Sequence, residues 1–102
     1  MKKIAVLLTV FNRKQQTLSC LKSLFEQEML DRYVLKVYLT DDGSTDGTAE
    51  AVLECFPNKV KIIYGDGNLF WNRGMWTAWN YAVKDGYYDF FLWVNDDTEL
   101  YK

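Results

Sequence analysis

The 102-residue sequence contains no histidine. That excludes Ser-His-Asp triads, Cys-His nucleophile pairs and histidine-based zinc sites in one step. Cysteine is scarce. Cys20 and Cys55 stand far apart in segments of helical pattern and are expected to be lone buried thiols of a cytosolic chain, not a disulfide. Positive charge is never concentrated: the net charge is −2 and no basic run occurs, which argues against electrostatic binding to nucleic acid. No apolar stretch approaches the ~20 residues needed to cross a bilayer. Lys2 and Lys3 precede only a short apolar run, Ile4 to Leu8, with no small-residue cleavage site. That run reads as a buried first strand and not as a signal peptide.

Apolar side chains are plentiful. Hydrophobic residues make up 49% of the chain and aromatics 17%, enough for one folded domain with one core. Strand-like runs occupy residues 4–9, 34–39, 60–64 and 89–94. Between them the spacing turns helical. Leu18, Leu21 and Phe25 mark a helix from about Lys14 to Glu28. Ala49, Val52, Leu53 and Phe56 mark a second, stopped by the only proline, Pro57. Met75, Ala78, Trp79 and Ala82 mark a third, from near Asn72 to Asp85-Gly86. The order β-α-β-α-β-α-β with short connections predicts an α/β fold: a three-layer α/β/α sandwich on a mostly parallel sheet.

The most informative segment is Asp89-Phe90-Phe91-Leu92-Trp93-Val94-Asn95-Asp96-Asp97. An apolar strand, expected to be buried on both faces, ends in adjacent carboxylates. A second pair, Asp41-Asp42, ends the second strand. Acids at strand ends are expected outside the core, at the edge where open α/β sheets bind ligands, with a cation or polar ligand relieving their repulsion. Asn95-Asp96-Asp97 suits a Mg²⁺ or Mn²⁺ ion shared with substrate phosphates. Residues 44–48 also read as a turn and helix cap, with Ser44, Thr45 or Asp46 at the N-cap. Gly65-Asp66-Gly67 is a weak loop signal. Trp79 and Trp93 are expected in the core. Phe70 and Trp71, placed in a loop, are ligand candidates, and Arg73 is positioned to counter a phosphate charge.

In order, the chain carries Thr9-Val10-Phe11-Asn12-Arg13, Asp41-Asp42-Gly43-Ser44-Thr45-Asp46-Gly47-Thr48, Asn72-Arg73-Gly74 with Ala78-Trp79-Asn80, and Val94-Asn95-Asp96-Asp97. Together these resemble the family 2 glycosyltransferases of GT-A fold, among them bacterial enzymes that build surface polysaccharides, and the likeness covers essentially the whole chain. The resemblance implies metal-dependent, inverting transfer of a sugar from a nucleotide-diphosphate sugar, UDP- or TDP-linked, to a saccharide or lipid-linked acceptor. It implies that Thr9 and Phe11 line the base pocket and that Asp41 contacts the base. Asn72 and Gly74 then lie near the ribose or diphosphate, Asp97 faces the metal in a DxD motif, and Asp96 sits beside the ribose or metal. Asn12, Arg13, Asp42 and Arg73 join the nucleotide-binding set.

Three departures from the family pattern stand out. Phe11 replaces a frequent tyrosine, Trp79 an arginine, and Asn95 the first acid of DxD. The catalytic base belongs to the acceptor part that follows the DxD strand, so no residue here is assigned to it. The chain is accordingly expected to be the front, nucleotide-sugar-binding part of a longer cytoplasmic protein working at the inner face of the membrane. As an isolated part it is expected to be inactive and prone to self-association. The alternative is a non-catalytic nucleotide- or dinucleotide-binding Rossmann-like domain, since Asp41 ends the second strand. Against it, the first turn has no glycine to admit a pyrophosphate. A phosphate-accepting signalling domain needs acids after the first strand, which are missing. A carbohydrate-binding module would be a β-sandwich, which the alternating helices oppose.

Overall fold

The computed structural model describes residues 2–27 and 32–95. The element order is β1 (Lys2–Val10), α1 (Lys14–Phe25), β2 (Tyr33–Asp41), α2 (Thr48–Cys55), β3 (Val60–Tyr64), α3 (Phe70–Asp85) and β4 (Phe90–Trp93). The strands form one four-stranded sheet in the order β3-β2-β1-β4. Every pairing is parallel, with Val6 of β1 opposite Val37 of β2 and Leu92 of β4, and Leu39 of β2 opposite Ile62 of β3. Parallel neighbours need a crossover of a dozen or more residues, which the helices supply.

Side-chain alternation along the strands separates two cores. Val6, Leu8 and Val10 of β1, with Val37 and Leu39 of β2, pack against Cys20, Leu21 and Leu24 of α1 and Ala49 and Val52 of α2. The intervening residues, Ala5 and Leu7 with Tyr38, face Met75, Ala78 and Ala82 of α3. The result is the expected three-layer sandwich, α1 and α2 on one face and α3 on the other. Small residues on α3 bring it close to the sheet. A Cβ on Gly74 would lie 2.3 Å from Thr9 Cγ2. In the same contact, Thr40 Oγ1 donates to the Gly74 carbonyl (2.9 Å).

Three expectations about burial are corrected. β4 was read as buried on both faces, yet all four of its residues are exposed. It pairs with β1 alone among the described residues, so its outer edge and much of its surface meet solvent. For the same reason Trp93, expected in the core, is 48% exposed, and Trp79, which packs against it, is 41% exposed. Cys55, on the last turn of α2, is exposed whereas Cys20 is buried; neither is in a disulfide.

Candidate functional site

The strand order dictates where a ligand can enter. The chain moves from β1 outward to β2 and β3, then returns through α3 to β4 on the other side of β1. The direction of strand addition therefore reverses between β1 and β4, the kind of switch point at whose carboxyl end open α/β sheets form a crevice. A cleft of about 450 Å³ lies there. Its walls come from the end of β1 (Thr9, Val10, Phe11, Arg13), from Asp42 after β2, and from Asn95 after β4. The β3–α3 segment adds Gly67, Phe70 and Trp71.

The acid pair at the end of β2 lies at the predicted sheet end, but it is buried, where sequence reasoning expected it outside the core. Asp41 and Asp42 are both buried, with Asp42 only 3% exposed. Peptide N–H groups donate to both. Asp41 Oδ1 accepts from Ser44 N (2.9 Å), closing its own turn. Asp42 reaches across the sheet end to the β3–α3 loop. Its Oδ1 accepts from Gly67 N (2.9 Å) and its Oδ2 from Phe70 N (2.9 Å), while Leu69 N lies within reach of both oxygens (3.2 and 3.1 Å). Gly65 makes room for this carboxylate, since a Cβ there would stand 2.6 Å from Asp42 Oδ1. The residue after β2 thus shapes one wall of the cleft.

The opposite wall is tied to the same segment. Asn12, at φ 50°, bonds this segment twice: Asn12 N donates to Ser44 Oγ (2.9 Å), and Asn12 Oδ1 accepts from Thr45 N (2.7 Å). Lys14 N donates to Asp46 Oδ2 (3.1 Å). Asp46 Oδ1 also accepts from Thr48 N (3.1 Å) and from the Thr48 hydroxyl, so Asp46 caps α2 although Gly47 holds the N-cap position. The Thr48 hydroxyl bond, aided by the peptide N–H donors, holds the Asp46 carboxyl below its ordinary value.

Of the residues singled out from sequence, Thr9, Phe11, Arg13 and Asp42 meet in the cleft. Asn12 and Asp41 serve the loops that frame it. Asn72 and Arg73 are exposed on α3 and do not line the cleft, while Gly74 is buried against Thr9. Phe70 and Trp71, expected in a loop, form the first turn of α3. Asp96 and Asp97 lie outside the described residues. Among the described residues no group of three acidic, cysteine or histidine side chains could hold a metal ion. Asn95 is the part of the expected cation segment seen in the cleft, and it offers an amide oxygen without charge. Thr9 Oγ1 is buried without a hydrogen-bond partner among the described residues.

Behind the cleft, aromatic rings run edge-on along α3 and β4. Trp71 meets Trp93 (5.9 Å between centroids), Trp93 meets Trp79 (6.2 Å), and Trp79 meets Phe91 (6.5 Å). Phe91 meets Tyr88 (6.1 Å), which meets the buried Tyr38 (5.8 Å). The Tyr38 hydroxyl donates to Asp85 Oδ2 and shares a 2.5 Å bond with the Tyr88 hydroxyl. Burial, and then those two hydrogen bonds, push the Tyr38 phenol far above its ordinary value.

A sequence profile of the family described as "Glycosyl transferase family 2" matches residues 5–102. The chain belongs to glycosyl transferase family 2. Solved structures carry the same fold. S. aureus TarS 1-349 superposes with a TM-score of 0.72 at 29% identity, over 95% of this chain and 28% of that one. TarS 1-349 in complex with UDP-GlcNAc gives 0.72 at 28% identity, over 95% and 27%. The mannosyltransferase PcManGT from Pyrobaculum calidifontis, in complex with GDP-Man and Mn2+, gives 0.68 at 24% identity, over 92% and 27%, a likeness of fold alone. The fold is that of GT-A transferases. The chain spans less than a third of the length of each of these proteins. A search of curated protein sequences finds no match.

Proposed function

We propose that this chain is the nucleotide-sugar-binding part of a glycosyltransferase domain that moves a sugar from a nucleotide diphosphate to an acceptor hydroxyl. The observation that carries the reading is the cleft at the β1–β4 switch point, walled by Phe11 and Asp42 in a family 2 chain. Its size fits a nucleotide-scale ligand. Thr9, Phe11 and Asp42 bind the nucleoside. Asn12, Arg13, Asp41, Asn72, Arg73 and Gly74 act at or behind the ribose and diphosphate, several of them by holding the loops that form the pocket. The β4 end carries Asn95, Asp96 and Asp97, all oxygen donors, a chemistry that fits a Mg²⁺ or Mn²⁺ ion. Such an ion supplies Lewis-acid stabilisation of the charge that builds on the departing diphosphate. The family resemblance further supports inversion at the sugar, a role in bacterial surface polysaccharide synthesis, a saccharide or lipid-linked acceptor, and work at the cytoplasmic face of the membrane. The exposed β4 edge supports self-association of the chain by itself.

Titration calorimetry of the full-length protein with UDP, TDP and GDP, each with Mn²⁺, tests this. Metal-dependent binding of at least one is expected. Binding of none overturns the reading, and tight binding of NAD in their place establishes the dinucleotide alternative.

A further inference from the structure

Phe70 is the most costly residue of the cleft. Its backbone sits at φ 56°, in the left-handed region. A side chain with a Cβ is strained there, because the Cβ crowds the following carbonyl oxygen. Nothing in the core repays that cost, because the ring is 71% exposed and has no aromatic partner among the described residues. Its neighbour differs: Trp71 is oriented by packing on Trp93. Phe70 is nonetheless held firmly. Its N–H donates to the buried Asp42 carboxylate, which also holds Gly67 and Leu69. Strain that the surroundings enforce, at a residue lining a ligand cleft, is the signature of a positioned contact. The other exposed ring in that cleft, Phe11, is 54% exposed and arrives from β1, followed by Asn12, also in the left-handed region.

Resting on the donor-site reading above, we propose that Phe70 is a binding residue for the nucleobase: it applies its ring to the base from the β3–α3 side, while Phe11 does so from the β1 side, with Asp42 as the positioning residue that aims it. A flat heterocycle is the ligand chemistry that two exposed phenyl rings in a cleft of about 450 Å³ select. Every base has a π-face, so the clamp contributes affinity without choosing the base. Choice among bases is left to polar groups at the ring edge, among which Asp42 keeps lone pairs beyond those used by the loop.

Phe70→Gly separates this role from a structural one. Glycine accepts the left-handed backbone without penalty, so the variant is expected to melt no lower than the parent protein. Base–aromatic stacking of ~1–3 kcal/mol corresponds to a loss of roughly 5- to 150-fold in affinity. Calorimetry with free UDP, GDP and TDP, each with Mn²⁺, is expected to show that loss for whichever diphosphate the parent binds, with Phe70→Tyr retaining affinity. Unchanged affinity for the free diphosphate in Phe70→Gly overturns the proposal, even if a sugar nucleotide binds less well, because the ring would then be meeting the sugar. A lowered melting temperature also overturns it, by making Phe70 a support of the fold. Failure of the parent to bind any of the three nucleotides is a different result: it defeats the donor-site reading, and the clamp with it.

Discussion

Asp42 shows how much one buried carboxylate can organise. It gathers the N–H groups of Gly67, Leu69 and Phe70 at the end of the sheet, where an acid pair would otherwise be expected to repel. Each N–H stranded by its removal costs roughly 1 kcal/mol or more. Asp42→Ala is therefore expected to lower stability by about 3 kcal/mol, read from the urea midpoint at unchanged slope. Asp42→Asn, which keeps one acceptor oxygen, is expected to fall between it and the parent. Equal stability of Asp42→Ala and the parent would show that the loop holds itself. The sequence makes this pair conspicuous but does not show what holds it in place. Nothing local reveals that Asp42 bonds groups 25 to 28 residues away.

At the scale of elements, the contact between α3 and β1 is made at Thr9, a residue of the cleft wall. Gly74 lets the helix lie directly on Thr9, where an added Cβ would meet Thr9 Cγ2 at 2.3 Å and Thr9 Oγ1 at 2.5 Å. Alanine is the better helix former by ~1 kcal/mol, but overpacking costs ~1–3 kcal/mol. Gly74→Ala is expected to destabilise by about 1 kcal/mol net, with Thr9→Ala recovering part of that loss in the double variant. A double-mutant cycle by denaturation measures the coupling, and strict additivity would contradict the packing argument. The helical stripe of Met75, Ala78 and Ala82 was readable as the buried face. Trp79 was not, because a tryptophan on an apolar stripe looks like core until the strand beneath it proves to be an exposed edge. The start of α3 was also misplaced by two residues, since Phe70 and Trp71 carry no capping signal and Phe70 enters the helix through a left-handed backbone.

For the molecule as a whole, stability at high pH is tied to the network of Tyr38, Asp85 and Tyr88 at the far end of α3. The folded state holds the Tyr38 phenol well above its unfolded value of 10.0. A raised value means that the neutral form is favoured in the fold. Its contribution is complete below pH 10.0 and is lost as the pH climbs from there toward the folded value, because the unfolded chain ionises first. Melting temperatures are expected to fall as pH rises past 10.0, and to fall less steeply in Tyr38→Phe. Parallel slopes in the two proteins would remove Tyr38 as the cause.

Local pattern alone determined the seven elements, their parallel arrangement in three layers, and the sheet end at which chemistry belongs. Those features follow from side-chain periodicity and from the reach of a crossover, both properties of contiguous segments. Tertiary structure decided the order of the strands, which tryptophans are exposed, and which carboxylate builds the cleft wall. Those depend on strand pairing and on hydrogen bonds between loops distant in sequence, where the free energy of one residue is settled by groups that no local window contains.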